Sequence, residues 1–129
     1  MKNLIFVGLG GFLGAITRYK LGGLILHNFR TTFPLGTVII NIAGCFFIGF
    51  LSEIMVKEHL FSSETRLFLV TGLLGGFTTF SAFGFETIYL MKRGDIFMAF
   101  MNIGLSVLLG LFAVWLGWKT GLIFKMSNG

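Results

Sequence analysis

The sequence predicts an all-α membrane protein with four transmembrane helices per subunit. Of its 129 residues, 55% are hydrophobic and 12% are charged, and the mean hydropathy is +0.91. A soluble domain carries about 25% charged residues, so this chain cannot cover its surface with charge, and lipid is the expected solvent. Four apolar runs each reach the roughly 20 residues needed to cross a hydrocarbon core about 30 Å thick.

The four predicted spans are separated by short connections. They cover about residues 4–26, 33–56, 67–91 and 96–118. The connections HNFRTT, KEHLFSSETR and KRGD leave no room for a soluble domain, so residues 1–129 are predicted to form a single integral membrane domain. The first run is expected to remain as a span, because no A-x-A-like cleavage site follows it and Arg18 stands where cleavage would occur.

The basic residues are shared equally between the two ends of the predicted bundle. With four spans, one face holds Lys2, Lys57, Arg66, Lys119 and Lys125, and the other holds Arg18, Lys20, Arg30, Lys92 and Arg93. Orientation normally follows an excess of lysine and arginine on the cytoplasmic side. An even split predicts insertion in both orientations and an antiparallel, dual-topology homodimer; a weak bias that the count misses is the alternative. No basic stripe with polar surface between its charges exists, so no nucleic-acid partner is expected.

Small residues recur in the first two spans. Gly8, Gly10, Gly11, Gly14 and Ala15 lie in the first, and Ala43, Gly44 and Gly49 lie in the second. Such spacing lets helix backbones approach closely, which is a common basis of helix association in lipid. We expect these residues to support an oligomer, and we expect the only cysteine, Cys45, to be a small residue in a buried interface.

The third run is most polar at its centre, where GGFTTFSAFGFE covers residues 75–86. Gly72, Gly75 and Gly76 weaken a helix, and the hydroxyls of Thr78, Thr79 and Ser81 compete for its backbone hydrogen bonds. Irregular backbone at this depth is tolerated only against protein or a water-filled cavity. The pattern therefore predicts a third helix that is broken at its centre, with backbone groups available to ions; an intact helix is the alternative.

Uncharged polar groups occur at similar depth in the other spans. Asn41 lies near the middle of the second span, and Asn102 and Ser106 share one face of the fourth. Phe80 and Phe83 stand beside the hydroxyls of the third, and aromatic ring edges carry partial positive charge. The centres of the spans hold no ionisable side chain, which argues against a proton-coupled carrier. Donors without fixed charge suit the passage of a small, hard anion.

Three segments, GGFTTFSAF, LGTVIINIAG and GGFLGAITR, resemble the Fluc (CrcB-type) fluoride channels, and the resemblance covers nearly the whole chain. Members of that family are antiparallel homodimers with two pores and a central sodium ion that backbone carbonyls hold. The resemblance implies a passive, fluoride-selective channel in the cell membrane rather than an enzyme. It would export fluoride that entered as membrane-permeant HF.

The resemblance also implies roles for individual residues. It places the sodium-binding carbonyls on Gly75 and Thr78, and a vestibule arginine on Arg18. The pore or fluoride-binding residues would be Asn41, Thr79, Phe80, Ser81, Phe83, Asn102 and Ser106. The chain departs from the family pattern at Ala82, where threonine is common, and at Asn102, a position that is expected to vary.

A small dual-topology multidrug-type antiporter is the alternative function, because such proteins also have four short spans per subunit. Those antiporters depend on a carboxylate in the first span. Residues 4–26 contain no aspartate or glutamate, so the sequence favours the channel.

Overall fold

The structure, a computed structural model, describes residues 1–56 and 61–128. Lys57, which was counted above among the basic residues, and the rest of segment 57–60 lie outside the described residues. The regular elements are α1 (Lys2–Asn28), α2 (Leu35–Ile54), α3 (Ser63–Arg66), a π-helix, π1 (Leu67–Leu74), α4 (Gly75–Phe77), α5 (Phe80–Lys92) and α6 (Ile96–Ser127).

Four helical stretches are long and apolar enough to cross a membrane, which confirms the predicted number of spans. They are Lys2–Asn28, Leu35–Ile54, Ser63–Lys92 and Ile96–Ser127. The third stretch comprises α3, π1, α4 and α5, and the sequence pattern gave no indication of a π-helix.

The last helix is longer than predicted, since α6 continues to Ser127 rather than ending near Trp118. The two lysines beyond Trp118 are accommodated on the helix. The ammonium of Lys119 lies 5.2 Å from the ring centroid of Trp118, and Lys125 forms an ion pair with Glu53 at 3.0 Å. Long basic side chains of this kind pack their stems on apolar surface while the charge finds a partner or water.

Glycines allow two pairs of helical segments to pack backbone against backbone. On α1, a Cβ atom at Gly14 would collide with the carbonyl oxygen of Leu73 and would lie 2.8 Å from the nitrogen of Phe77. On α2, a Cβ atom at Gly49 would collide with the carbonyl oxygen of Val114 of α6. The expectation that these glycines support an oligomer is therefore wrong for Gly14 and Gly49, which pack within one subunit.

Ion pairs bring the N-terminus, the second connection and the C-terminus to one end of the bundle. Lys2 lies 3.5 Å from Glu64, at the start of α3. Lys125, near the end of α6, reaches Glu53 at the end of α2. This is the grouping of segments that the charge count assumed.

Candidate functional site

The third span is interrupted at two threonines. Helix α4 ends at Phe77, the backbone is extended at Thr78 (φ −81°, ψ 158°) and at Thr79 (φ −150°, ψ 114°), and α5 begins at Phe80. Two glycines of low helix propensity precede this point. The Thr79 hydroxyl then accepts a hydrogen bond from the backbone N–H of Ala82 at 3.2 Å, so Thr79 caps the start of α5.

Asn41 of α2 supplies the backbone partners that the interruption removes. Its side-chain nitrogen donates to the carbonyl oxygen of Thr79 at 2.9 Å, and its side-chain oxygen accepts from the N–H of Thr79 at 2.8 Å. Each unsatisfied backbone group in hydrocarbon costs several kcal/mol, so this pair of bonds explains how the extended segment is tolerated. One N–H bond of the Asn41 amide is left for another acceptor.

The interruption also leaves two carbonyl groups without the partners that a continuous helix would give them. In a continuous helix the N–H of Thr79 would bond to Gly75, and that of Ala82 would bond to Thr78. Here these two N–H groups donate to Asn41 and to the Thr79 hydroxyl instead. The carbonyl oxygens of Gly75 and Thr78 are thus free of those partners, and Gly75 is exposed on the surface of the single subunit.

The larger cavity, of about 870 Å³, lies between α1, α2 and α5. Its lining includes Arg18, Thr37, Thr79, Ala82 and Glu86. The Thr37 hydroxyl donates to a carboxylate oxygen of Glu86 at 2.7 Å. Neither Thr37 nor Glu86 is among the residues predicted above, although Glu86 stands out in the sequence as the only acid of the third apolar run.

A second cavity, of about 430 Å³, lies on the other side of the interruption. Among the residues that the structure describes, its lining includes no acidic or basic side chain. The polar or aromatic residues of the lining are Asn41, Cys45, Thr78, Thr79, Phe80, Phe83 and Ser106. Thr79 lines both cavities, so the capping threonine stands between the two spaces.

The two phenylalanines stand together at the second cavity. Their ring centroids are 5.5 Å apart and the ring planes are inclined by 42°. Phe80 is 83% exposed in the single subunit. Ser81 is also exposed, and its hydroxyl lies 3.3 Å from that of Thr79.

The structure places Asn102 apart from these residues. Its side chain is fully buried between α5 and α6 and donates to the Thr87 hydroxyl at 2.9 Å. Asn102 does not line either of the two cavities described here. Its neighbour Ser106 does line the second one, so six of the seven predicted pore residues lie at or beside the interruption, and Asn102 lies behind them.

Comparison with known proteins adds an independent observation. A family model described as "CrcB-like protein, Camphor Resistance (CrcB)" matches residues 5–118. The chain is 44% identical over 117 residues to "Fluoride-specific ion channel FluC 1" of Methanosarcina acetivorans, covering 91% of this chain and 88% of the relative.

Two further relatives carry the name "Fluoride-specific ion channel FluC". The protein of Flavobacterium psychrophilum is 46% identical over 91% of this chain and 94% of its own length. That of Dehalococcoides mccartyi is 40% identical over 100% of this chain and 99% of its own length. With four spans that can cross a membrane and relatives matched over nearly their full length, this multi-pass membrane protein belongs to the CrcB-like family.

Proposed function

We propose that this protein is a passive, fluoride-selective ion channel that lets cytoplasmic fluoride leave the cell. The observation that carries the proposal is that Thr79 borders two cavities of different character. The first cavity is lined by the basic residues Arg18 and Lys20 and by the acid Glu86, and the second is lined by neutral donors and ring edges. The excess of basic side chains in the first attracts an anion, and the uncharged donors of the second can replace its hydration water without trapping it.

Neutral hydrogen-bond donors are the groups that a small anion requires. The second cavity offers an amide of Asn41, hydroxyls of Thr79 and Ser106, and the edges of Phe80 and Phe83. Fluoride is the smallest halide and the strongest hydrogen-bond acceptor among them, so a path of converging donors favours it over chloride. The names of the relatives, which describe fluoride-specific channels, agree with this choice and point away from an enzyme.

The channel acts as an antiparallel homodimer with two pores. In the single subunit, Thr71, Gly75 and Ser81 are exposed within the third span, where lipid would leave polar groups without partners. A second copy related by a two-fold axis in the membrane plane would cover this surface. The even split of basic residues supports opposite orientations of the two copies.

A sodium ion between the subunits fits the carbonyl groups that the interruption releases. The carbonyl oxygens of Gly75 and Thr78 are freed from helical pairing, and two copies would provide four neutral oxygens. A monovalent cation suits neutral ligands, since a divalent one usually needs carboxylates to balance its charge. Such an ion supplies positive charge next to the C-terminal end of the first half of the span, where the helix dipole is negative.

Fluoride flux from liposomes that contain the purified protein tests the function. Fluoride efflux must exceed that of empty liposomes, and chloride efflux under the same potential must stay near background. Equal flux of the two anions would contradict the selectivity, and no flux of either would contradict the channel.

Sodium is tested in the same liposomes by exchange for a large organic cation. The flux is expected to fall when the site is emptied and to return when sodium is restored. Flux that persists after the ion has been shown to be lost would contradict its functional role.

A further inference from the structure

A chain of side-chain hydrogen bonds links the fourth span to the helix that carries the two phenylalanines. The amide nitrogen of Asn102 donates to the Thr87 hydroxyl at 2.9 Å. The Thr87 hydroxyl in turn donates to the carbonyl oxygen of Phe83 at 2.8 Å. Asn102 is 0% exposed and Thr87 is 6% exposed, so this chain is shielded within the single subunit.

The same asparagine also contacts a residue of the second cavity. The Ser106 hydroxyl donates to the side-chain oxygen of Asn102 at 3.4 Å. This distance is long for a hydroxyl bond, which is usually near 2.8 Å, so the bond is weak. A weak partner can orient a hydroxyl and still release it to a stronger acceptor.

We propose that Asn102 is a positioning residue of the ion pathway and does not bind the ion itself. Through Thr87 it holds α5, and with it Phe83, against α6. Through its side-chain oxygen it holds the Ser106 hydroxyl at the cavity until an anion competes for the proton. This inference rests on the proposed channel function. It means that Asn102 and Thr87 act through the residues that line the pathway.

The competing interpretation is that Asn102 and Thr87 only help α5 to pack on α6 and have no effect on the pathway. The two interpretations differ in what the removal of one hydrogen bond changes. If the bonds only support packing, the removal of one lowers the stability of the folded protein, as the removal of a buried hydrogen bond elsewhere would. If the bonds position residues of the pathway, the removal of one also changes how strongly the anion binds and how accessible the second cavity is. A loss of stability alone does not cause these two changes.

The variants are chosen to remove single bonds. Asn102→Leu removes the amide at similar size, Thr87→Val removes the hydroxyl at the same shape, and Thr87→Ser keeps the hydroxyl. Trp118→Phe is the matched control. It removes the indole N–H that donates from α6 to buried Glu53 at 2.7 Å, far from the two cavities.

Fluoride flux in liposomes is the first measurement. We expect Asn102→Leu and Thr87→Val each to lower the flux about tenfold and to raise the fluoride concentration at half-maximal flux, as loss of one well-placed buried hydrogen bond would. Thr87→Ser and Trp118→Phe should remain within about twofold of the wild type. The double variant Asn102→Leu/Thr87→Val should be no worse than the more impaired single variant, because both residues belong to one chain of bonds.

Cys45 provides a second measurement that does not depend on fluoride conduction. It is the only cysteine of the chain and lines the second cavity with Phe83 and Ser106. Its rate of modification by methyl methanethiosulfonate should rise several-fold in Asn102→Leu and Thr87→Val. The rate should be unchanged in Trp118→Phe.

The outcomes distinguish a failure of this proposal from a failure of the proposed function. A wild-type protein without fluoride flux contradicts the channel, and the Cys45 rates then decide the positioning role alone. Wild-type flux and wild-type Cys45 rates in Thr87→Val overturn the positioning role, whether or not Asn102→Leu folds. Equal losses in Thr87→Val and Trp118→Phe also overturn it, since they indicate general destabilisation.

Discussion

Asn41 has two functions in one side chain, because it stabilises an irregular backbone and lines a polar cavity. Its amide satisfies both backbone groups of Thr79 and retains one N–H bond for another acceptor. An asparagine is suited to this position because its amide presents a donor and an acceptor side by side. A carboxylate or an apolar side chain in its place would leave at least one of the Thr79 groups unpaired.

Asn41→Leu is therefore expected to destabilise the folded protein strongly. Each buried polar group left unsatisfied costs about 1–3 kcal/mol, so the loss of two partners predicts roughly 2–6 kcal/mol. Unfolding equilibria in mixed detergent micelles measure this change. Asn28→Leu is the control, because the Asn28 side chain donates to the carbonyl of Leu24 at the exposed end of α1; a comparable loss there would contradict the special role of Asn41.

The phenylalanines at the interruption are expected to act through their ring edges. Phe80→Ile and Phe83→Ile keep apolar bulk but remove the polarised edge. Each should lower fluoride flux about fivefold, which corresponds to an edge contact worth about 1 kcal/mol, while the proposed dimer persists in gel filtration.

Phe85→Ile is the matched control for these substitutions. Phe85 lies on the same helix, is 72% exposed and stacks on Tyr89, and does not line the second cavity. Its flux should equal that of the wild type. Undiminished flux in both Phe80→Ile and Phe83→Ile would mean that their rings only pack.

At the scale of the elements, the third span depends on close contact with α1. Gly10 of α1 faces Gly72, Gly11 faces Gly76, and Gly14 lies against the backbone of Leu73 and Phe77. A Cβ atom at Gly10, Gly14, Gly72 or Gly76 would lie within 3.0 Å of backbone atoms of the facing segment. This contact supports π1 and α4 up to the point where the helix ends. The interruption is therefore held from two sides, by α1 before it and by Asn41 of α2 at it.

Two alanine substitutions on α1 test this contact. Gly14→Ala should destabilise the protein by about 1–3 kcal/mol, because the added methyl group overpacks a backbone contact that cannot yield easily. Gly8→Ala should be neutral or slightly stabilising, since no atom lies within 4 Å of its Cβ position and alanine is the better helix former. Equal effects of the two substitutions in thermal unfolding would contradict the packing argument.

The sequence predicted the spans well because the length of an apolar run can be read from residues that are consecutive in the chain. It also located the polar interruption, since glycines followed by hydroxyl residues stand out in an apolar run. It could not identify the partner of the interruption, because no local pattern links Asn41 and Thr79, which are 38 residues apart. The same limit applies to Asn102, because no local pattern links it to Thr87, which lies 15 residues away.

At the scale of the whole molecule, ion pairs occur at both ends of the bundle. At the end that holds both termini, Lys2 and Lys125 lie near the carboxylates of Glu64 and Glu53. At the other end, Arg93 pairs with Asp95 at 3.5 Å. The orientation of insertion is governed by lysine and arginine and only slightly by acidic residues. These ion pairs therefore stabilise the folded subunit without disturbing the even balance of basic residues.

Two lysines added at the N-terminus should break that balance and force a single orientation. If the active form is an antiparallel dimer, the biased protein alone should have no partner in the opposite orientation, and its fluoride flux should fall to background. A second copy biased the other way, by two lysines added to the connection between α5 and α6, should restore the flux when both are co-expressed.

Accessibility of residues at each end of the bundle to an impermeant reagent confirms that each bias was achieved. Two glutamines added at the same N-terminal position are the control and should leave orientation and flux unchanged. Full activity of the lysine-biased protein by itself would contradict the antiparallel arrangement. Because every copy then faces the same way, it would also require that some other surface cover the exposed Thr71, Gly75 and Ser81.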